Sequence, residues 1–239
     1  MLAAGRGTVG IRMTALLTYA GERTAAVPVG PLDLPGTLAW PAHPSGIVLL
    51  AHGSGSSRSS PRNIAVAHQL RSAGLATLLF DLLTPREAEQ RNNVFEIPLL
   101  AERIRAATDW VVGQPEVEGL MPGYFGASTG AAAALRAAVG SGVIVGAVVS
   151  RGGRPDLAGN ALPAVRAPTL LIVGSHDEAV LELNRRAFRQ LTCMKRLVVV
   201  AGATHLFEEP GTLEEAGRLA AGWFVEHLAM VPRWRAPRR

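Results

Sequence analysis

The chain has one cysteine, Cys193, and one lysine, Lys195, among 239 residues. A single thiol excludes an internal disulfide framework and any metal site built from several cysteines. It fits a reducing compartment, and a cytoplasmic protein is expected. No stretch approaches the about eighteen consecutive apolar residues that a membrane span needs, which excludes an integral helical membrane protein. Internal repeats and low-complexity linkers are also missing. At this length, with 48% hydrophobic residues, the chain suits one well-buried core and is too short for two comfortable domains.

Basic residues outnumber acidic ones, for a formal charge of +5, but the arginines are scattered except in the terminal "PRWRAPRR". No aromatic or basic stripe continues that run into the body, so residues 230–239 read as a solvated basic tail and no nucleic-acid partner is expected. Residues 1–23 carry Arg6 and Arg12 ahead of a short apolar patch, a faint likeness to a signal peptide. Threonines break the patch, and the segment is read as an N-terminal extension, disordered or loosely attached. The domain is expected to span residues 24–229.

Within it, short runs rich in Val, Ile and Leu alternate with longer Ala, Arg and Leu segments of helical period. This is the pattern of an α/β protein, a mostly parallel sheet covered by helices on both faces. An antiparallel hairpin is expected from "AAVPVG" and "LPGTLAWPA", followed by the strands "GIVLLAHG", "LATLLFDLL", "LMPGYFGAS", "VGAVVSRGG", "APTLLIVGS" and "RLVVVAGAT", eight in all. Residues 151–168 must hold a helix between two strands, which leaves no room for a separate lid domain.

Ligands of such sheets bind outside the carboxyl ends of the strands. Those ends carry His52 to Gly55, Asp81, Ser128, Ser150 with Arg151, Asp177 and His205. Ser128 lies in "GYFGASTGAAAA", in the pattern Gly126, Ala127, Ser128, Thr129, Gly130, after a strand and before an alanine-rich helix. That is the context of a nucleophile elbow, where a side chain at either glycine would collide with a neighbouring element. A serine hydroxyl is a poor nucleophile near neutrality, so it needs a base, and the base needs a carboxylate to hold it. His205 and Asp177 follow Ser128 in the order serine, acid, histidine, each past its own strand. Asp177 could instead cap the next helix, and Asp81 and Glu178 compete for the acid role.

The oxyanion of a tetrahedral intermediate needs donors. The backbone N–H of Thr129 is one candidate, and the loop "HGSGSS" supplies the other through Ser54, with Gly55 as its alternative. His52 is read as a brace for that loop. Gly55, Arg151 and Phe207 are expected to touch substrate. Arg151 and Arg154 could meet an acidic acyl group, but pairing with Asp156 and solvent is the preferred reading. The segment "TPREAEQRNNVFEIP" is expected to overhang the site, and "SRGGRPDL" to wall it.

Together "LLAHGSGSSRSSPRN", "GYFGASTGAAAA", "LLIVGSHDEAV" and "GATHLFEEPGTLEEA" make residues 24–229 resemble the α/β-hydrolase superfamily, and within it the dienelactone-hydrolase-like esterases. The resemblance implies the α/β-hydrolase fold, a Ser128, His205, Asp177 triad, oxyanion donors at Ser54 and Thr129, no cofactor or metal, and a small-molecule ester or lactone as the partner. Dienelactone hydrolases proper carry cysteine at the elbow, where this chain has Ser128. General carboxylic ester or lactone hydrolysis is therefore the expected chemistry. A serine-dependent acyltransferase or perhydrolase would use the same triad, and a binding protein on this fold would leave it idle.

Overall fold

A computed structural model describes residues 16–19 and 22–229. Expectations for residues 1–15 and for the tail 230–239 lie outside the described residues.

Among the described residues nine strands form one sheet: β1 Leu16–Tyr19, β2 Glu22–Val29, β3 Leu34–Trp40, β4 Ile47–Ala51, β5 Ala76–Phe80, β6 Pro122–Ala127, β7 Ala147–Arg151, β8 Thr169–Gly174 and β9 Lys195–Val200. Their spatial order is β1-β2-β3-β5-β4-β6-β7-β8-β9. The first three and the β3–β5 pair are antiparallel, and every other pairing is parallel. The hairpin read from the sequence is β2 and β3, registered from Arg23 opposite Trp40 to Val29 opposite Leu34. β1 is the ninth strand, one more than expected. It pairs with β2 inside the segment assigned to an extension, so the sheet begins ahead of residue 24.

The central strands bury both faces, and alternation sends successive side chains to opposite sides. In β4, Ile47, Leu49 and Ala51 enter one core while Val48 and Leu50 enter the other. The first core is closed by α3 (Ile97–Val111), α4 (Thr129–Ala137) and α5 (Glu178–Gln190), through residues such as Leu100, Ile104, Leu135 and Ala187. The second is closed by α1 (Pro61–Ser72) and α6 (Thr212–Leu228), through Val66, Leu70, Trp223 and Phe224. Each large side chain fully buried here stabilises the fold by about 1.5–3 kcal/mol, so the strands are pinned and their carboxyl ends become a rigid platform.

Between β7 and β8 the chain makes only a 3₁₀ segment, Pro155–Ala164, and no separate lid domain is built among the described residues. Residues 84–96 fold into a one-turn helix, α2 (Pro85–Ala88), and a 3₁₀ turn, Arg91–Phe95. A reciprocal cap between Thr84 and Glu87 starts α2, and Arg103 of α3 grips the Glu87 carboxylate.

Candidate active site

Ser128 sits between β6 and α4 with φ 51° and ψ −121°, one of three non-glycine residues at positive φ among those described. Such a conformation costs free energy and persists only where the surroundings fix it. Here the Ser128 carbonyl accepts from the amides of Ala131 (3.1 Å) and Arg154 (3.0 Å), and its own amide donates to Arg151 in the next strand (3.4 Å). A Cβ on Gly126 would fall on the backbone of Ala131, and one on Gly130 on the carbonyls of Ala51 and His52. Both glycines expected from the elbow pattern are thus sterically required.

His205 follows β9, and its Nδ1 lies 2.6 Å from Asp177 Oδ2. The carboxylate accepts the Nδ1 proton, which leaves Nε2 as the basic nitrogen. Asp177 does stand at the N-cap of α5, but its side chain makes no cap bond there and is committed to the histidine. The rival acid is engaged elsewhere: Asp81 accepts from the Arg58 amide at 2.9 Å and pairs with its guanidinium at 2.7 Å. Ser128 and His205 line one cavity of about 210 Å³, with no hydrogen bond between them. Catalytic contacts of this kind often tighten only when substrate is bound.

The loop after β4 faces them. Gly53 is so close that a Cβ there would approach Ser128 Cβ to 2.9 Å. Ser54 and Gly55 line the cavity, and the Ser54 amide donates to the Thr129 hydroxyl at 3.0 Å. That contact ties the two sequence-read oxyanion donors to each other, something no motif announces. His52 braces the loop as expected: its Nε2 accepts from the Leu82 amide (3.2 Å) and its Nδ1 donates to the Gly53 carbonyl (3.0 Å). Burial pushes its pKa below the ordinary 6.5, against smaller opposing effects of the Gly53 bond and Asp81.

Three expectations need correction. Phe207 does not line the cavity: it is 2% exposed, φ 57° turns its ring into the core, and Leu206 takes the place at the wall. Arg151 does not pair with Asp156, which Arg154 holds through two bonds of 2.9 and 2.8 Å. Residues 84–98, expected to overhang the site, do not line the cavity; Val94 instead packs behind the loop after β4, near His52, Gly53 and Ser54.

Arg151 ends β7 and is 6% exposed, with Nε unpartnered and only a 3.5 Å contact from Nη1 to the Leu206 carbonyl. Its guanidinium lies 5.5 Å from the centre of the Phe207 ring. Burial first, and the charge of Arg62 second, pull its pKa down to about 10, so it stays charged near neutrality. Arg62, Asn63 and Ser60, from the start of α1, complete this side of the cavity and went unnoticed in the sequence. The proline-started helix was legible, but not that it aims at Ser128.

No protein-family model matches the chain. A protein of Mycobacterium tuberculosis named as a phosphoribosyl transferase is 59% identical over 207 residues, 87% of this chain but 47% of the relative. The chain therefore spans about half the length of that relative. A solved structure named as a dienelactone hydrolase from Anabaena variabilis is 54% identical, covers 87% of this chain and 99% of its own, and superposes with a TM-score of 0.84. A cold-adapted esterase from an Arctic intertidal metagenomic library shares the fold at 18% identity and a TM-score of 0.73, over 90% of this chain and 98% of its own.

Proposed function

Because the chain belongs to the dienelactone hydrolase family of α/β-hydrolases, we propose that it hydrolyses small carboxylic esters or lactones through an acyl-enzyme on Ser128. The observation that carries this reading is the 2.6 Å contact between His205 and Asp177, beside a serine held at a strained elbow in the same cavity.

Ser128 Oγ attacks the ester carbonyl as His205 Nε2 takes its proton, and Asp177 stabilises the imidazolium. The oxyanion is met by the amide of Thr129, at the first turn of α4, and by the amide of Ser54 as it leaves the Thr129 hydroxyl. The helix N-terminus adds a positive potential at the same point. His205 then protonates the departing alcohol, or the ring oxygen of a lactone, which breaks the acyl C–O bond. Water, deprotonated by the same nitrogen, releases the acid and restores Ser128.

A cavity of about 210 Å³ is below the roughly 300–1,000 Å³ of drug-sized ligand sites, which favours short acyl groups. The transferase name of the mycobacterial relative belongs to a protein of which this chain matches 47%, and the serine-centred site lies within the matched half. The test is Ser128→Ala, expected to lower kcat by on the order of 10³ or more with an unchanged circular dichroism spectrum. Near-normal turnover by that variant contradicts the reading.

A further inference from the structure

The hydrolytic cycle leaves the most charged wall of the cavity without a task. Arg151 is a nearly fully buried guanidinium that no carboxylate neutralises among the described residues. Removing such a cation from water is costly unless an anion compensates it. The Phe207 ring face behind it is a partial substitute only.

A second positive charge faces the same space. Arg62 lines the cavity and is near enough for its charge to act on Arg151. Its pairing with Glu208, at 2.9 Å, lies at a solvent-exposed edge where such contacts are weak. The third contributor is backbone. In the twelve-residue helix α1 the N-cap Ser60 makes no side-chain cap bond, and the first i→i−4 bond runs from the Ile64 amide to the Ser60 carbonyl. The amides of Arg62 and Asn63 precede that bond, and both residues line the cavity with Ser60. An uncapped helix start favours an anion through its free N–H groups and its dipole.

We propose that Arg151, Arg62 and the N-terminus of α1 form a phosphate subsite, so that the substrate of the Ser128 site is a small ester or lactone carrying a phosphate group near its scissile bond. This rests on the hydrolase reading, since nucleophile and subsite open into one cavity. The distance along the substrate is short: Arg151 is the register partner of Ala127, the residue before the nucleophile. Two guanidinium groups and a helix start match the nearly double negative charge and three acceptor oxygens of a phosphate monoester better than the single charge of a carboxylate. A neutral alkyl ester leaves Arg151 desolvated and unpaired.

Three p-nitrophenyl esters of equal chain length decide it: those of butyric, succinic and 3-phosphonopropionic acid, compared at constant ionic strength. The phosphonate is expected to exceed the butyrate in kcat/KM by about tenfold or more, chiefly through KM, and to exceed the succinate. The phosphonate-to-butyrate ratio should fall by about tenfold in Arg151→Gln, less in Arg151→Lys, and measurably in Arg62→Gln. Inorganic phosphate should compete with p-nitrophenyl butyrate in the wild type and compete less well in Arg62→Gln, a variant at a half-exposed position that remains informative if Arg151→Gln does not fold. Equal or better use of butyrate, or ratios unmoved by the arginine changes, overturns the subsite. A preference for succinate over the phosphonate overturns the assignment to phosphate. If wild type cleaves none of the three esters and takes no fluorophosphonate, the hydrolase reading falls as well, whereas cleavage of all three without preference removes the subsite alone.

Discussion

Asp177 Oδ2 and His205 Nδ1 meet at 2.6 Å across 28 residues of sequence, each carried there by the end of a different parallel strand. The same aspartate could have capped α5 with its side chain and does not. Removing its charge should therefore act on the histidine and not on the helix. Asp177→Asn is expected to lower kcat by on the order of 10³ or more, with little change in thermal stability. Asp81→Asn should do the reverse, loosening the Arg58 contact with a modest kinetic effect. Steady-state kinetics and melting curves on both variants separate the roles, and a larger rate loss at Asp81 would reassign the acid.

His52 makes a pH prediction for stability. Its folded pKa is lowered by burial, so the unfolded chain binds the proton more tightly. Stability from this group is present above the ordinary value of 6.5 and is lost as pH falls from there toward the lower folded pKa. Urea midpoints between neutral pH and pH 5 should decline, and the decline should be shallower in His52→Gln, in which that titration is absent. A slope identical in the two proteins removes His52 from the explanation.

The elbow glycines should be intolerant of a single methyl. Gly126→Ala drives a Cβ onto the Ala131 backbone, and neither element can retreat from a packed core. A loss of about 1–3 kcal/mol is expected from chemical denaturation, or failure to fold. Gly55→Ala meets no neighbouring atom but sits at φ +70°, so only the strain of a left-handed alanine, about 1–2 kcal/mol, should appear. Equal stability of Gly126→Ala and wild type would contradict the packing described for β6 and α4.

Acyl-chain preference follows from the small cavity and from a β7–β8 connection that builds only a 3₁₀ segment. Burial of a methylene is worth about 0.8 kcal/mol when it is complete, and these walls offer little apolar surface for it. Among unsubstituted p-nitrophenyl esters, kcat/KM should peak between acetate and butyrate and fall by about tenfold or more by the laurate. Preferred cleavage of palmitate would show that a deep apolar channel opens in solution.

Much of this architecture is legible in the sequence, because both-face burial writes itself as short Val, Ile and Leu runs, and their ends bear Ser128, Asp177 and His205. What escaped depended on strand pairing, backbone angles and side-chain directions that no residue pattern announces. β1 is four residues long and becomes a strand only because the edge of β2 lies beside it. The ring of Phe207 turns inward through a positive φ that no propensity announces at a phenylalanine. Arg151 and Arg154 look alike in "SRGGRPDL", yet the register of β7 buries the first while the turn after it hands the second to Asp156.

The central claim is that Ser128 is the nucleophile, and a fluorophosphonate probe tests it on the native chain. A stoichiometric adduct is expected, mapped by peptide mass spectrometry to Ser128 and abolished in Ser128→Ala. Labelling at another serine, or none in folded protein, would contradict it.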